Sequence, residues 1–141
     1  MTSMPGGKVF LDANILVYAQ DQDSPDKQRR SREIIAALAK SATGVMSTQV
    51  LQEYYVTVTR KLGVAPLAAK SVLQTFKIFE MVQASPDLID DAIDCSVLNK
   101  VSFWDALIIA AAASSGCAIV YSEDMNPGKT IQGVRIENPL A

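Results

Sequence analysis

A chain of 141 residues is long enough for one domain with a substantial core, and 49% hydrophobic against 20% charged residues is ordinary for a compact globular fold. It contains no histidine. That excludes Ser-His-Asp triads, Cys-His pairs and histidine-bearing zinc sites, and leaves carboxylate, lysine, tyrosine, serine and water for catalysis. The formal charge of −2 argues against a broad electrostatic grip on nucleic acid, although two bound divalent cations would reverse its sign.

The longest apolar stretch, Ala106 to Ala113, is too short to span a bilayer, and residues 1–7 show no charged segment followed by an apolar one. We therefore expect a cytoplasmic, non-membrane protein whose residues 1–7 form a disordered lead to a single domain. Cys95 and Cys117 lie in apolar segments and read as buried, reduced thiols.

In chain order, Val9 to Asp12 predicts a buried strand and Asn14 to Ala19 a short helix. Ser24-Pro25 starts a helix running to about Lys40, with Ile34, Ile35 and Leu38 inward. Thr43-Gly44 breaks it, and Val45-Met46 is short enough for an edge or minor strand. Thr48 to Leu62 predicts a helix with Val50, Leu51, Tyr54 and Val58 on one face, stopped by Gly63. Pro66 opens another, whose stripe is Ala69, Val72, Leu73, Phe76 and Phe79. Glu80 to Gln83 is a candidate strand. Ser85-Pro86-Asp87 begins a helix with acids in its first turns and Lys100 past its end, as the helix dipole prefers. Ser102 to Ser115 is apolar nearly all round and should be central. Cys117 to Tyr121 and Thr130 to Ile136 supply the last strands. Strands alternating with helices imply a parallel sheet of about four to five strands between two helical layers.

Five acids stand at the edges of these apolar elements, where burial is costly without a partner. Asp12 ends the first strand, although it would also serve as a helix cap. Glu53 lies on a helix margin, where glutamates are usually solvated. Ser102-x-x-Asp105 fits a capping box, which would by itself account for Asp105. Glu123-Asp124 follows a strand and precedes the turn Asn126-Pro127-Gly128. Strand ends and helix starts meet along one edge of a parallel sheet, where ligands bind. Oxygen-only donors gathered there suit magnesium, manganese or calcium. The basic residues Lys27, Arg29, Arg30 and Arg32 crowd one segment, and Arg60-Lys61 ends another; either group reads most simply as a solvated helix face.

Val9 to Ala19 resembles the opening of PIN-domain ribonucleases. Ser47 to Glu53, Ser102 to Ile108 and Tyr121 to Met125 resemble that family's later acidic segments, and Ile136 to Leu140 its usual end. The resemblance spans about Lys8 to Leu140, and four motifs in order are far more specific than any one. It implies a three-layer α/β/α fold and Mg²⁺- or Mn²⁺-dependent RNA hydrolysis. Asp12, Glu53, Asp105 and Asp124 become the catalytic and metal-ligating residues, with Asn14, Ser122 and Glu123 supporting. A stand-alone domain of this length is similar to VapC toxins, which implies a homodimer and a small cognate antitoxin. Lys27, Arg29, Arg30 and Arg32 would guide the RNA backbone.

Two rivals remain at this stage. One is a non-catalytic RNA-binding or protein-interaction module that keeps the acids. The other is an aspartate-based phosphatase, which commonly carries a second aspartate where this chain has Asn14.

Overall fold

The computed structural model describes residues 7–141, so the expected lead lies, except for Gly7, outside the described residues. Six strands, β1 (Val9–Leu11), β2 (Gly44–Ser47), β3 (Glu80–Val82), β4 (Ile119–Tyr121), β5 (Thr130–Ile131) and β6 (Val134–Glu137), form one sheet in the order β3-β2-β1-β4-β6-β5. Every pairing is parallel except β5 with β6. The helices are α1 (Ala13–Tyr18), α2 (Pro25–Ser41), α3 (Thr48–Arg60), α4 (Pro66–Thr75), α5 (Pro86–Asn99) and α6 (Phe103–Ser114).

The chain moves outward from β1 through β2 to β3, then returns across both to β4. Right-handed crossovers therefore put α2 to α4 on one face and α5 and α6 on the other. Between these layers β1 is buried at all three residues, which is why it is wholly apolar. Helix α6 packs on β2, β4 and β6 beneath α5, and Ala106 to Ala112 are all buried. Its alanines allow the close approach that a helix covered on both sides needs.

Four expectations require correction. Val45-Met46 is not an edge: β2 lies between β3 and β1 and is fully buried. A strand covered on both faces shows no alternation, and its shortness concealed its place. Gly44 does not break a helix but begins β2, because a Cβ there would come within 2.5 Å of the Phe79 ring. Helix α2 ends instead at Ala42, in the left-handed region at φ 56.

The stretch Thr130 to Ile136 is not one strand but a hairpin, and this raises the strand number to six. Gln132 and Gly133 form its two-residue turn with φ of 52 and 78, the positive pair that a tight hairpin requires. The helix opened by Pro66 stops at Thr75, and a single 3-10 turn over Phe76–Ile78 carries Phe76 and Phe79 into the core. Cys95 and Cys117 are free and buried, as expected.

The direction of the chain reverses between β1 and β4, at the middle of the sheet. Open α/β sheets present their ligand crevice at such a point, beyond the carboxyl ends of the strands.

Candidate active site

Asp12 stands at that crevice. Its backbone amide donates to the Tyr121 carbonyl at 3.0 Å, extending the β1–β4 pairing to the acid itself. The side chain is buried, with 7% of its surface exposed. Oδ1 accepts from the Ala13 amide at 2.7 Å, and Oδ2 accepts from the Ser122 hydroxyl at 2.7 Å and from Asn14 Nδ2 at 3.4 Å. The Ala13 bond reaches only the first amide of a six-residue helix, so capping is a minor part of what Asp12 does. None of the ion pairs among the described residues includes it. Burial pushes its carboxyl up to about 6, against the Ser122 and Ala13 hydrogen bonds, and the charges of Glu53 and Asp124 push the same way.

Asn14 and Ser122 knit the acids from β1 and β4 together. Asn14 Nδ2 is shared among Asp12 Oδ2, Ser122 Oγ and Asp124 Oδ2, the last two at 3.2 Å. Its Oδ1 accepts from the Glu123 amide at 3.0 Å. Ser122 Oγ also accepts from the Asp124 amide at 3.2 Å, which folds the turn back over Asp12.

The remaining acids come from two helix starts. Ser47 caps α3 through the Val50 amide, and Glu53 follows on the exposed side of its second turn. Gln49 Nε2 holds Glu53 Oε1 at 2.8 Å and also donates to the Trp104 carbonyl at 3.3 Å. Ser102 Oγ accepts from the Asp105 amide at 3.1 Å. The return bond of a capping box, from the Ser102 amide to the Asp105 carboxylate, is not formed among the described residues. Capping thus accounts for the position of Asp105 but not for its charge.

Asp12, Glu53, Asp105 and Asp124 all line one cleft of about 370 Å³, with Lys61 and Trp104 at its wall. Glu123 faces it too, but its carboxylate is engaged elsewhere: Tyr18 donates to it at 2.6 Å and Lys27 at 2.6 Å. Burial pushes this carboxyl up, yet the Lys27 and Tyr18 hydrogen bonds outweigh it and hold the group below its usual range.

The basic cluster on α2 does not gather at the cleft. Lys27 reaches its rim through Glu123. Arg29 is exposed beside Asp26 and Glu33, a solvated helix face. Arg30 donates to the Pro139 carbonyl and Arg32 to that of Ala19, so both tie down loops. Sequence reasoning passed over Gln49, Tyr18 and Lys61. The four-residue spacing of Gln49 and Glu53 was the available signal for the first, since it places both on one helix face.

A parallel α/β sheet with an acidic, all-oxygen cleft at its point of reversal is the class that fold and site define. The chain belongs to the PIN domain family, whose model matches residues 9–129. No curated protein sequence matches it. Among solved structures, the chain is similar to VapC20 of Mycobacterium tuberculosis, a toxin that cleaves the sarcin–ricin loop. Their identity is 21% and the TM-score 0.63, covering 84% of this chain and 92% of that one. A toxin–antitoxin complex from Klebsiella pneumoniae is similar at 16% identity and TM-score 0.70, covering 94% and 98%. DNA-bound VapBC from Salmonella typhimurium is similar at 20% identity and TM-score 0.65, also covering 94% and 98%. At these identities the likeness is one of fold.

The donor set fits a hard divalent cation. It consists of carboxylate oxygens, and Gln49, which also lines the cleft, keeps its Oε1 buried with no hydrogen-bond partner among the described residues. No three acidic or thiol side chains among the described residues close around a point as a complete cage would. No single helix among the described residues is long and apolar enough to cross a membrane.

Proposed function

We propose that this protein is a Mg²⁺- or Mn²⁺-dependent endoribonuclease and the toxin of a type II toxin–antitoxin pair. The observation that carries the reading is Asp12: a buried carboxylate with no cationic partner among the described residues, at the head of a cleft lined also by Asp21, Glu53, Asp105, Glu123 and Asp124. Burying such a group is unfavourable unless a positive charge joins it. Asp12 and Asp105 would hold the ion, with Glu53 and Asp124 completing the site directly or through water. When bound, the ion supplies Lewis acidity toward a phosphoryl oxygen and toward the attacking water.

The chain's own residues supply the rest. Ser122 and Asn14 fix the orientation of Asp12 and Asp124 by hydrogen bonds. Lys61 on the wall and Lys27 on the rim offset the negative field that would otherwise repel a phosphodiester. Water attacks in line, the bond to the 3′ oxygen breaks, and a 5′-phosphate product remains. The VapBC complex and the toxin–antitoxin complex described above support a cognate antitoxin as one partner, and a second copy of this chain is the other partner that the resemblance implies.

The test is cleavage of RNA by the purified protein in Mg²⁺ or Mn²⁺, its loss in Asp12→Ala, and end-labelling of the products. Cleavage that persists in the variant, or that proceeds undiminished in a chelator, would overturn the proposal.

A further inference from the structure

Trp104 is the chain's single tryptophan and is 63% exposed, although it lies beside Asp105 on the wall of the acidic cleft. A large apolar ring left in water at a polar site has no role in the core. Its position is nonetheless fixed. Phe103, packed against the core, meets the indole edge to face at 5.1 Å between centroids and 74° between planes. The Trp104 carbonyl receives Gln49 Nε2, the same group that holds Glu53. The ring is therefore braced on one side, open on the other, and tied to two of the site's elements.

We propose that Trp104 is the stacking platform for a base of single-stranded RNA beside the cleaved phosphate, a positioning and specificity residue of the nuclease site. The inference rests on the ribonuclease reading above. Carboxylates and an ion recognise only the phosphate, which is the same at every step of the chain. Register along the strand needs a contact with a base, and an open aromatic face provides one for any base that can be splayed from its neighbours. A paired base, already stacked on both sides, is excluded. The geometry thus selects loops and unpaired segments over helices.

The single tryptophan makes the contact directly observable. Wild-type protein in Ca²⁺ is titrated with a short mixed-sequence RNA, with the same strand paired to its complement, and with an abasic strand of equal length. The expected result is quenching of the indole emission by the unpaired RNA alone. In cleavage assays, Trp104→Ala should raise KM about tenfold with kcat nearly unchanged, the loss expected of one base stack. Trp104→Phe should recover most of that loss.

Equal quenching by the abasic strand, or no quenching by any strand, would overturn the proposal. So would a KM unmoved in Trp104→Ala. A drop in the molar mass of the native protein in that variant would assign the ring to a protein interface instead. If wild-type protein cuts no RNA yet its indole is quenched by unpaired RNA alone, the stacking site stands and the ribonuclease reading falls.

Discussion

Ser122 donates its hydroxyl to Asp12 at 2.7 Å across 110 residues of chain, and the same oxygen receives the Asp124 amide. A hydrogen bond to a buried charged group contributes more than an ordinary one, about 1.5–3 kcal/mol. Ser122→Ala should therefore lower stability near neutral pH by about 2 kcal/mol, measured by denaturant unfolding. The Asp12 titration, followed by carboxyl NMR, should move further upward because a group favouring the charged form is gone. An unchanged titration would mean that Ser122 does not restrain the acid.

The charge on Asp12 works against folding, and the sign can be checked by pH. Its carboxyl lies at about 6 in the folded protein against an ordinary 3.8. The folded state therefore holds the proton more tightly, and Asp12 contributes stability below about pH 4 that is lost as pH rises through 6. At pH 8 the cost is on the order of 2–3 kcal/mol. Asp12→Asn should gain on wild type, in metal-free buffer, as pH rises from 4 to 8, although the amide disturbs the bonds from Ala13 and Asn14. Melting temperatures of the two proteins across that range give the comparison, and a constant difference would remove Asp12 as the source. Millimolar Mg²⁺ should then raise the wild-type melting temperature and leave the variant nearly unmoved.

Asn14 is, with Ser122, a neutral group among the acids of β1 and β4, and its amide hydrogens are shared by three oxygen acceptors. Asn14→Asp would replace a donor with a carboxylate among groups 3.2–3.4 Å away. The metal-free variant should be destabilised by more than about 2 kcal/mol, as like charges and unpaired acceptors accumulate. Divalent cation should recover part of the loss, and calorimetry with and without Mg²⁺ measures both. A variant as stable as wild type without metal would show that the amide does not hold the cluster together.

Asp105 separates capping from chemistry. Ser102→Ala should cost about 1 kcal/mol, because Ser102 alone receives the helix amide. Asp105→Asn should leave the metal-free melting temperature within a degree or two, since its carboxylate makes no capping bond, while RNA cleavage falls by orders of magnitude. Near wild-type cleavage in Asp105→Asn would remove this residue from the active site.

The sequence made the strand-ending acids legible because a carboxylate that interrupts an apolar run is conspicuous: Asp12 and Asp124 were found that way. Glu53 could be found only by its resemblance to a family motif, since an exposed glutamate on a helix margin carries no local signal. Gln49 stayed hidden because it makes its contacts with Glu53 and with the backbone of another helix, 55 residues away in the case of Trp104. Order along the chain likewise says nothing about order across the sheet, so a strand as short as Val45-Met46 reads as an edge or minor strand although it lies between two others. The arginines of α2 show that clustering in sequence is not clustering in space. At about 100° per residue they lie on different sides of the helix, and the fold points Arg29, Arg30 and Arg32 to three different places.

The reversal of the chain at β1 and β4 also makes the cleft depend on two strands far apart in the chain. A partial chain that stops before residue 118 already carries Asp12, Asn14, Glu53 and Asp105. It lacks the strand that Asp12 pairs with, the hydroxyl that orients it and the fourth acid. Such a chain also exposes the flank of β1 that β4 should cover, an unpaired edge of three apolar residues. On the ribonuclease reading, a product that stops before β4 would lack an assembled site and would carry that open edge as an aggregation hazard.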